Sequence, residues 1–173
     1  LPWDGRAKWI KAWEKDMGLR EAMKVSNVPA YQELARRVGL EKMRGAVADL
    51  NYGNKDIGRA VDAFWLDGSL EITAVEQCLF LKRLALNELP MRDEVQAAVR
   101  EITVIDSGGF GVLHAKTGTT GRKEPAIGWW VGWVEPPGGV KVFALNVVLL
   151  DGRFDTEKRI ELGRGCLKPA GVR

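Results

Sequence analysis

Apolar positions recur with two different periods along the chain, and the change falls near residue 99. Before it, they return every three or four residues. In "AYQELARRVG", Tyr31, Leu34, Ala35 and Val38 share one face of a helix that Gly39 stops. "LREAMKV" repeats the spacing and ends near Ser26 and Pro29, while "LEKMRGAVADL" runs into "NYGN", a turn of residues that tolerate positive φ. The strongest helix is "TAVEQCLFLKRLALNEL": Thr73 and Glu76 have capping-box spacing, and Pro90 follows its end. The pattern singles out no element between Pro90 and Gly111.

Beyond residue 99, "GVLHAKTG", "AIGWWVGWVEP" and "GVKVFALNVVLL" are strand-like runs separated by "TGRKEP" and "PPGG". Trp129, Val131 and Trp133 face one way; Trp130, Gly132 and Val134 face the other. Large residues on both faces predict a sheet covered on both sides. The final "TEKRIELGRGCLKPAG" predicts an amphipathic helix with Ile160, Leu162, Cys166 and Leu167 apolar, weakened by two glycines. The order is helices, an antiparallel meander, then a closing helix. It divides the chain into a helical lobe over 1–98 and strands with a C-terminal helix over 99–173, without a linker or repeat.

Composition narrows the classes. With 173 residues, 46% hydrophobic and 28% charged, the chain suits one compact domain or two lobes sharing a core. Its net charge of +3 comes from 26 basic and 23 acidic residues mixed along the whole length. That is a solvated surface, so no nucleic-acid partner is expected. "VFALNVVLL", interrupted by Asn146, is far shorter than the roughly 18 residues of a membrane span. The start, "LPWDGRAKW", lacks the charged n-region and apolar stretch of a signal peptide and reads like the middle of a protein. Cys78 and Cys166 each sit among helix-like apolar residues, as buried free thiols do; a disulfide between them stays open. No CxxC or Cys/His cluster exists and His114 is the only histidine, so no metal site is expected.

Four short signals carry candidate chemistry. Lys116-Thr117-Gly118 closes a strand, offering an ammonium and a hydroxyl beside a cleft, or nothing more than a strand end. Ser26-Asn27-Val28 precedes Pro29, where a helix cap explains Ser or Asn equally well. Tyr52-Gly53-Asn54 has the composition of a structural turn. Trp65, in "DAFWLDGSL", fits a core position, though a buried indole N–H needs an acceptor.

Taken together, SxV at 26, YGN at 52, FWLxGxL at 64 and KTG at 116 resemble the class D (oxacillinase-type) serine β-lactamases in order and spacing. "VPAYQELARRVG", "GWWVGWVE", "FALN" and the Arg159 of "KRIELG" resemble that family too. The resemblance runs from about Trp3 to the C-terminus. It implies an α/β (α+β type) fold like that of serine β-lactamases and penicillin-binding proteins, an antiparallel sheet flanked by helices plus an all-helical lobe. It implies hydrolysis of β-lactam antibiotics in the bacterial periplasm, with no cofactor other than carbon dioxide, held as a carbamate on a catalytic lysine.

The roles it implies are specific. Ser26 relays a proton, and Lys116 places charge beside the nucleophile and the substrate carboxylate. Thr117 and Arg159 bind that carboxylate, with Gly118 beside them, and the Thr119 N–H forms half of the oxyanion hole. Trp65 donates to the carbamate, Val28 and Leu66 shield it from water, and Tyr52, Gly53 and Asn54 shape the wall. His114 is expected only to pack or to bond locally.

One departure is large. Ser26, Ser69 and Ser107 are the only serines, and none has lysine three residues on. The family's Ser-x-x-Lys nucleophile, with the first strands of the sheet, is therefore expected upstream of Leu1, on a segment that acts as a partner of this chain. Two alternatives stand beside the enzyme: a β-lactam sensor domain of a membrane receptor, acylated without turnover, and a docked piece without catalysis of its own.

Overall fold

The computed structural model describes residues 1–66, 69–108, 111–120, 125–150 and 156–168. Helices come first: α1 (Leu19–Lys24), α2 (Val28–Val38), α3 (Leu40–Asp49), α4 (Ala74–Ala85) and α5 (Asp93–Ile102). The strands β1 (Val104–Gly108), β2 (Gly111–Thr119), β3 (Ala126–Glu135) and β4 (Lys141–Leu149) follow, then α6 (Thr156–Leu167). The strands form one antiparallel sheet in chain order, β1-β2-β3-β4. Helices, meander and closing helix thus occur in the expected order. Most of "TGRKEP", the Asp67-Gly68 turn and the chain after Lys168 lie outside the described residues.

The sheet is covered on both faces, as the alternation in β3 requires. Trp133 joins Leu81, Leu84, Ala85 and Leu89 in a core cluster beneath α4, with Val131 and Val142 against it. On the other face, α6 rests on Trp130 so closely that a Cβ on Gly163 would lie 2.0 Å from that ring. In β3, Gly128 likewise makes room: a Cβ there would lie 2.5 Å from an Arg159 nitrogen.

Four local expectations need correction. α4 ends at Ala85, short of Leu89, because Asn87 adopts φ +61° and reverses the chain. Val38 is 43% exposed and does not complete the buried face of α2. In α6 the buried residues are Arg159 and Gly163, whereas Leu162 is exposed. What α6 meets is the Cε3–Cζ3 edge of the Trp130 ring, which excludes a branched side chain and admits a glycine. Cys166 is exposed rather than buried, Cys78 is half-buried, and both are free thiols.

α5 and β1 fill the stretch to which the pattern assigned nothing. The fully buried residue of α5 is a polar one, Gln96. Its amide accepts from Leu89 N–H at 3.0 Å and donates to the carbonyls of Leu89 (3.2 Å) and Met91 (3.1 Å). It supplies partners to the backbone of the buried Leu89, in a turn that no secondary structure satisfies. α5 crosses residue 98, and α4 of the helical half packs on β3 and β4.

Candidate active site

Ser26 lies between α1 and α2, but it does not cap α2. Asn27 does, accepting the Ala30 N–H on its side-chain oxygen at 3.0 Å, with Pro29 in the first turn. The Asn27 amide is buried and donates to Met17 Sδ at 3.2 Å. The capping reading is fulfilled one residue later than Ser26, which leaves the serine hydroxyl to another partner. That partner is Lys116, whose Nζ donates to Ser26 Oγ at 2.5 Å and to the Thr117 carbonyl at 2.9 Å. Ser26 also adopts φ +51°, a left-handed backbone that costs a non-glycine residue about 1–3 kcal/mol and clusters at functional sites.

The pleat of β2 divides the KTG segment between two faces. Lys116 pairs across the sheet with Val131, which places it on the α4 face. Thr117 and Thr119 pair with Trp130 and Gly128, on the α6 face where Arg159 lies. Arg159 is buried, and its Nη1 donates to the Gly118 carbonyl at 2.6 Å and to Thr119 Oγ1 at 3.3 Å. Its Nη2 donates to Thr156 Oγ1 at 2.9 Å. Burial, followed by the nearby Arg159 charge, pushes the Lys116 ammonium below its ordinary value of 10.5.

Among the described residues no strand pairs with the edge of β2 near Lys116. Ala115 N–H donates to Thr103 O on the β1 side, and β1 pairs no further along β2 than His114. Antiparallel alternation points Thr117 and Thr119, N–H and C=O alike, towards that same edge.

Trp65 and Tyr52 meet in a separate cluster around Val47, Ile57 and Phe64, with Trp65 packed edge-on against the Phe64 ring. Val28 opens α2 and, like Leu66, is partly buried. Gln32 of α2 donates to Asp62 O at 2.9 Å and so fastens α2 to the segment that carries Trp65 and Leu66. Tyr52 OH donates to Gln77 Oε1 at 2.6 Å, and burial raises its phenol above the usual value. Gly53, at φ +51°, faces the Glu71 carbonyl where a Cβ would lie at 2.1 Å. Asn54 clamps the same strip: its N–H donates to Glu71 O (2.9 Å), its amide donates to Ser69 O (2.8 Å), and it accepts Glu71 N–H (3.1 Å).

The penicillin binding protein transpeptidase domain matches residues 2–159. A solved class D β-lactamase, FUS-1 (OXA-85) from Fusobacterium nucleatum subsp. polymorphum, superposes with a TM-score of 0.94 at 41% identity. The match covers 99% of this chain and 71% of that one. This chain belongs to the class D β-lactamase family. Another class D β-lactamase, YbXI from Nostoc, gives a TM-score of 0.94 at 37% identity, over 100% of this chain and 73% of that one. β-Lactamase OXA-48 from Klebsiella pneumoniae is 44% identical over 145 residues, which are 84% of this chain and 55% of that protein. For OXA-10 from Pseudomonas aeruginosa the identity is 40% over 163 residues, 92% of this chain and 59% of the relative. The chain thus spans less than two thirds of the length of these two relatives.

Within this class D β-lactamase chain, Ser26 meets Lys116 directly, and Gly118 and Thr119 meet Arg159 directly. Tyr52 and Trp65 share one cluster, and the YGN turn is a structural clamp. Two supporting residues had no sequence signal of their own, Thr156 as a partner of Arg159 and Gln77 beneath Tyr52, whereas the Asn27 cap is one of the two the sequence offers. Gly128 left a faint one, a glycine inside an aromatic strand. His114 stacks on Trp133 with centroids 4.3 Å apart, and its Nδ1 lies 2.8 Å from the Arg100 carbonyl, a packing and local bonding part.

Proposed function

We propose that the protein to which these residues belong hydrolyses β-lactams through a serine acyl-enzyme, its Ser-x-x-Lys nucleophile lying outside residues 1–173. The observation that carries this reading is the bond between Ser26 and Lys116, two motif residues far apart in sequence. Ser26 then passes a proton between the catalytic lysine, the nucleophile and the departing ring nitrogen. Lys116 moderates the charge on that path, and the Thr119 N–H receives the developing oxyanion. The substrate carboxylate binds Thr117 and Arg159, displacing the long 3.3 Å contact between Arg159 and Thr119. A lysine carbamate, the only cofactor-like group in this reading, supplies the base that activates water. Trp65 donates to it, and Val28 and Leu66 keep it dry.

The segment that brings the nucleophile docks beside Ser26 and on the outer edge of β4. Among the described residues no strand pairs with that edge, Val148 and the following Leu150 are exposed there, and such strands are normally paired or blocked. Localisation is periplasmic in this reading; among the described residues no helix is long and apolar enough to cross a membrane. The test is turnover of a chromogenic β-lactam by the longer protein. Many equivalents consumed per protein support the hydrolase. A single equivalent followed by silence replaces it with an acylated sensor.

A further inference from the structure

We propose that Gly128 and Thr156 are positioning residues for Arg159: together they fix where its guanidinium lies beside Thr117 and Thr119, and so set the grip of the site on a substrate carboxylate. This deepens the β-lactam reading above and rests on it. It gives work to two residues that touch neither the substrate nor the reacting atoms.

The path of the arginine comes first. Arg159 leaves the buried side of α6 and passes over β3 at Gly128, the residue paired with Thr119 in the register of β2 and β3. A Cβ at position 128 would lie 2.5 Å from Nη1, 2.7 Å from Cδ and 3.0 Å from Cζ. Non-bonded heavy atoms rest at about 3.5 Å, so any side chain there stands in the path of the guanidinium. The strand itself does not ask for glycine, because Gly128 lies inside β3 and is not among the residues of positive φ. What the missing side chain makes room for is the arginine. Alanine at this position therefore moves the far end of one side chain by about 1 Å and leaves the backbone ladder in place.

The second control is on the orientation of the guanidinium, a planar fork. Its two arms are held from opposite sides. Nη2 donates to Thr156 Oγ1 at 2.9 Å, one turn earlier on α6, and Nη1 donates across to the Gly118 carbonyl at 2.6 Å. Bonds on both nitrogens fix the plane, whereas one alone lets it swing. Nη1 carries two hydrogens. The Gly118 carbonyl takes one in a short bond. The other is shared between Thr119 Oγ1 at 3.3 Å and the Trp129 carbonyl at 3.4 Å, both beyond the ordinary range of about 2.7–3.2 Å. That hydrogen is the one a carboxylate takes up, and Thr117, two residues along the same face as Thr119, meets the second oxygen. Thr156 thus holds one arm so that the other presents this hydrogen.

The experiment measures ring opening in the initial burst of the longer protein, with a chromogenic β-lactam and with the methyl ester of its carboxylate. The burst is readable in a hydrolase and in an acylated sensor alike. Wild type should prefer the free acid. Gly128→Ala should slow the acid about a hundredfold, the effect of a 1 Å misplacement. Thr156→Val, which keeps the shape and removes the acceptor, should slow it about tenfold. The ester should be little changed in both, and a damaged fold would instead slow acid and ester equally. Thr156→Ser keeps the hydroxyl and should keep the wild-type preference. In an Arg159→Ala background neither substitution should change the preference further, because both act through that side chain. Equal losses on acid and ester, an unchanged acid rate in either variant, or full additional losses in the Arg159→Ala background overturn the proposal. A wild type that opens neither compound refutes the β-lactam reading and the proposal with it, an outcome distinct from the other three.

Discussion

Replacing Gly163 with alanine tests whether α6 is held to the sheet by close approach to Trp130. The added Cβ would stand 2.0 Å from Trp130 Cε3 and 2.2 Å from Cζ3. Carbon atoms rest at about 3.5 Å, so helix and ring must part by about 1.5 Å. Trp130 is 1% exposed and has Phe143 packed 4.4 Å away, so the ring has no room to withdraw. Overpacking of this kind costs about 1–3 kcal/mol, and the upper end applies to a rigid ring. Alanine recovers about 1 kcal/mol of helix propensity, leaving a net loss of about 2 kcal/mol. For a chain of 173 residues that lowers the melting midpoint by about 4–8 °C. Gly165, two residues on, has nothing within 4 Å of its Cβ position. There the same substitution should raise the midpoint by about 2–4 °C, since only the propensity gain of about 1 kcal/mol remains. Thermal melts followed by far-UV circular dichroism compare the two. Helix propensity alone makes both variants more stable, so a Gly163→Ala protein that melts at or above wild type refutes the close-packing account.

Two further outcomes follow from the site and its surroundings. In the longer protein, bicarbonate should restore β-lactam turnover lost at low pH, and Trp65→Ala should blunt that response; full activity of Trp65→Ala without bicarbonate removes the carbamate role. Burial holds the His114 pKa below its ordinary 6.5, against the raising effects of the Arg100 carbonyl and Glu135. The unfolded chain therefore takes up the proton first, and stability falls as pH drops below 6.5. Urea midpoints between pH 8 and 5 should fall less steeply in His114→Gln, and equal slopes would contradict the assignment.

Legibility in the sequence followed the kind of force at work. Thr73 and Glu76 form the capping box their spacing predicts, because a cap is a local contact between neighbours. The alternation in "GWWVGWVE" predicts two covered faces, because side-chain period is set by the backbone. The face of α6 misled, since what is buried there depends on a tryptophan some thirty residues away that accepts Gly163 and excludes leucine. α5 has Val95, Val99 and Ile102 at helical spacing, but its fully buried residue, Gln96, is polar and serves a turn made by other residues, which no spacing announces. For the site, the order of short motifs located Ser26 and Lys116, but not that Asn27 caps α2 and frees the serine hydroxyl. Nor did it reveal that the pleat sends Lys116 to one face and Thr117 with Thr119 to the other.

The most direct test of the central claim is kcat/KM for a chromogenic β-lactam in the longer protein and its Ser26→Ala variant. A positioned proton carrier contributes about a hundredfold or more. The account predicts a loss of at least that size, carried by kcat and with KM little changed. Wild-type kcat/KM in Ser26→Ala would contradict it.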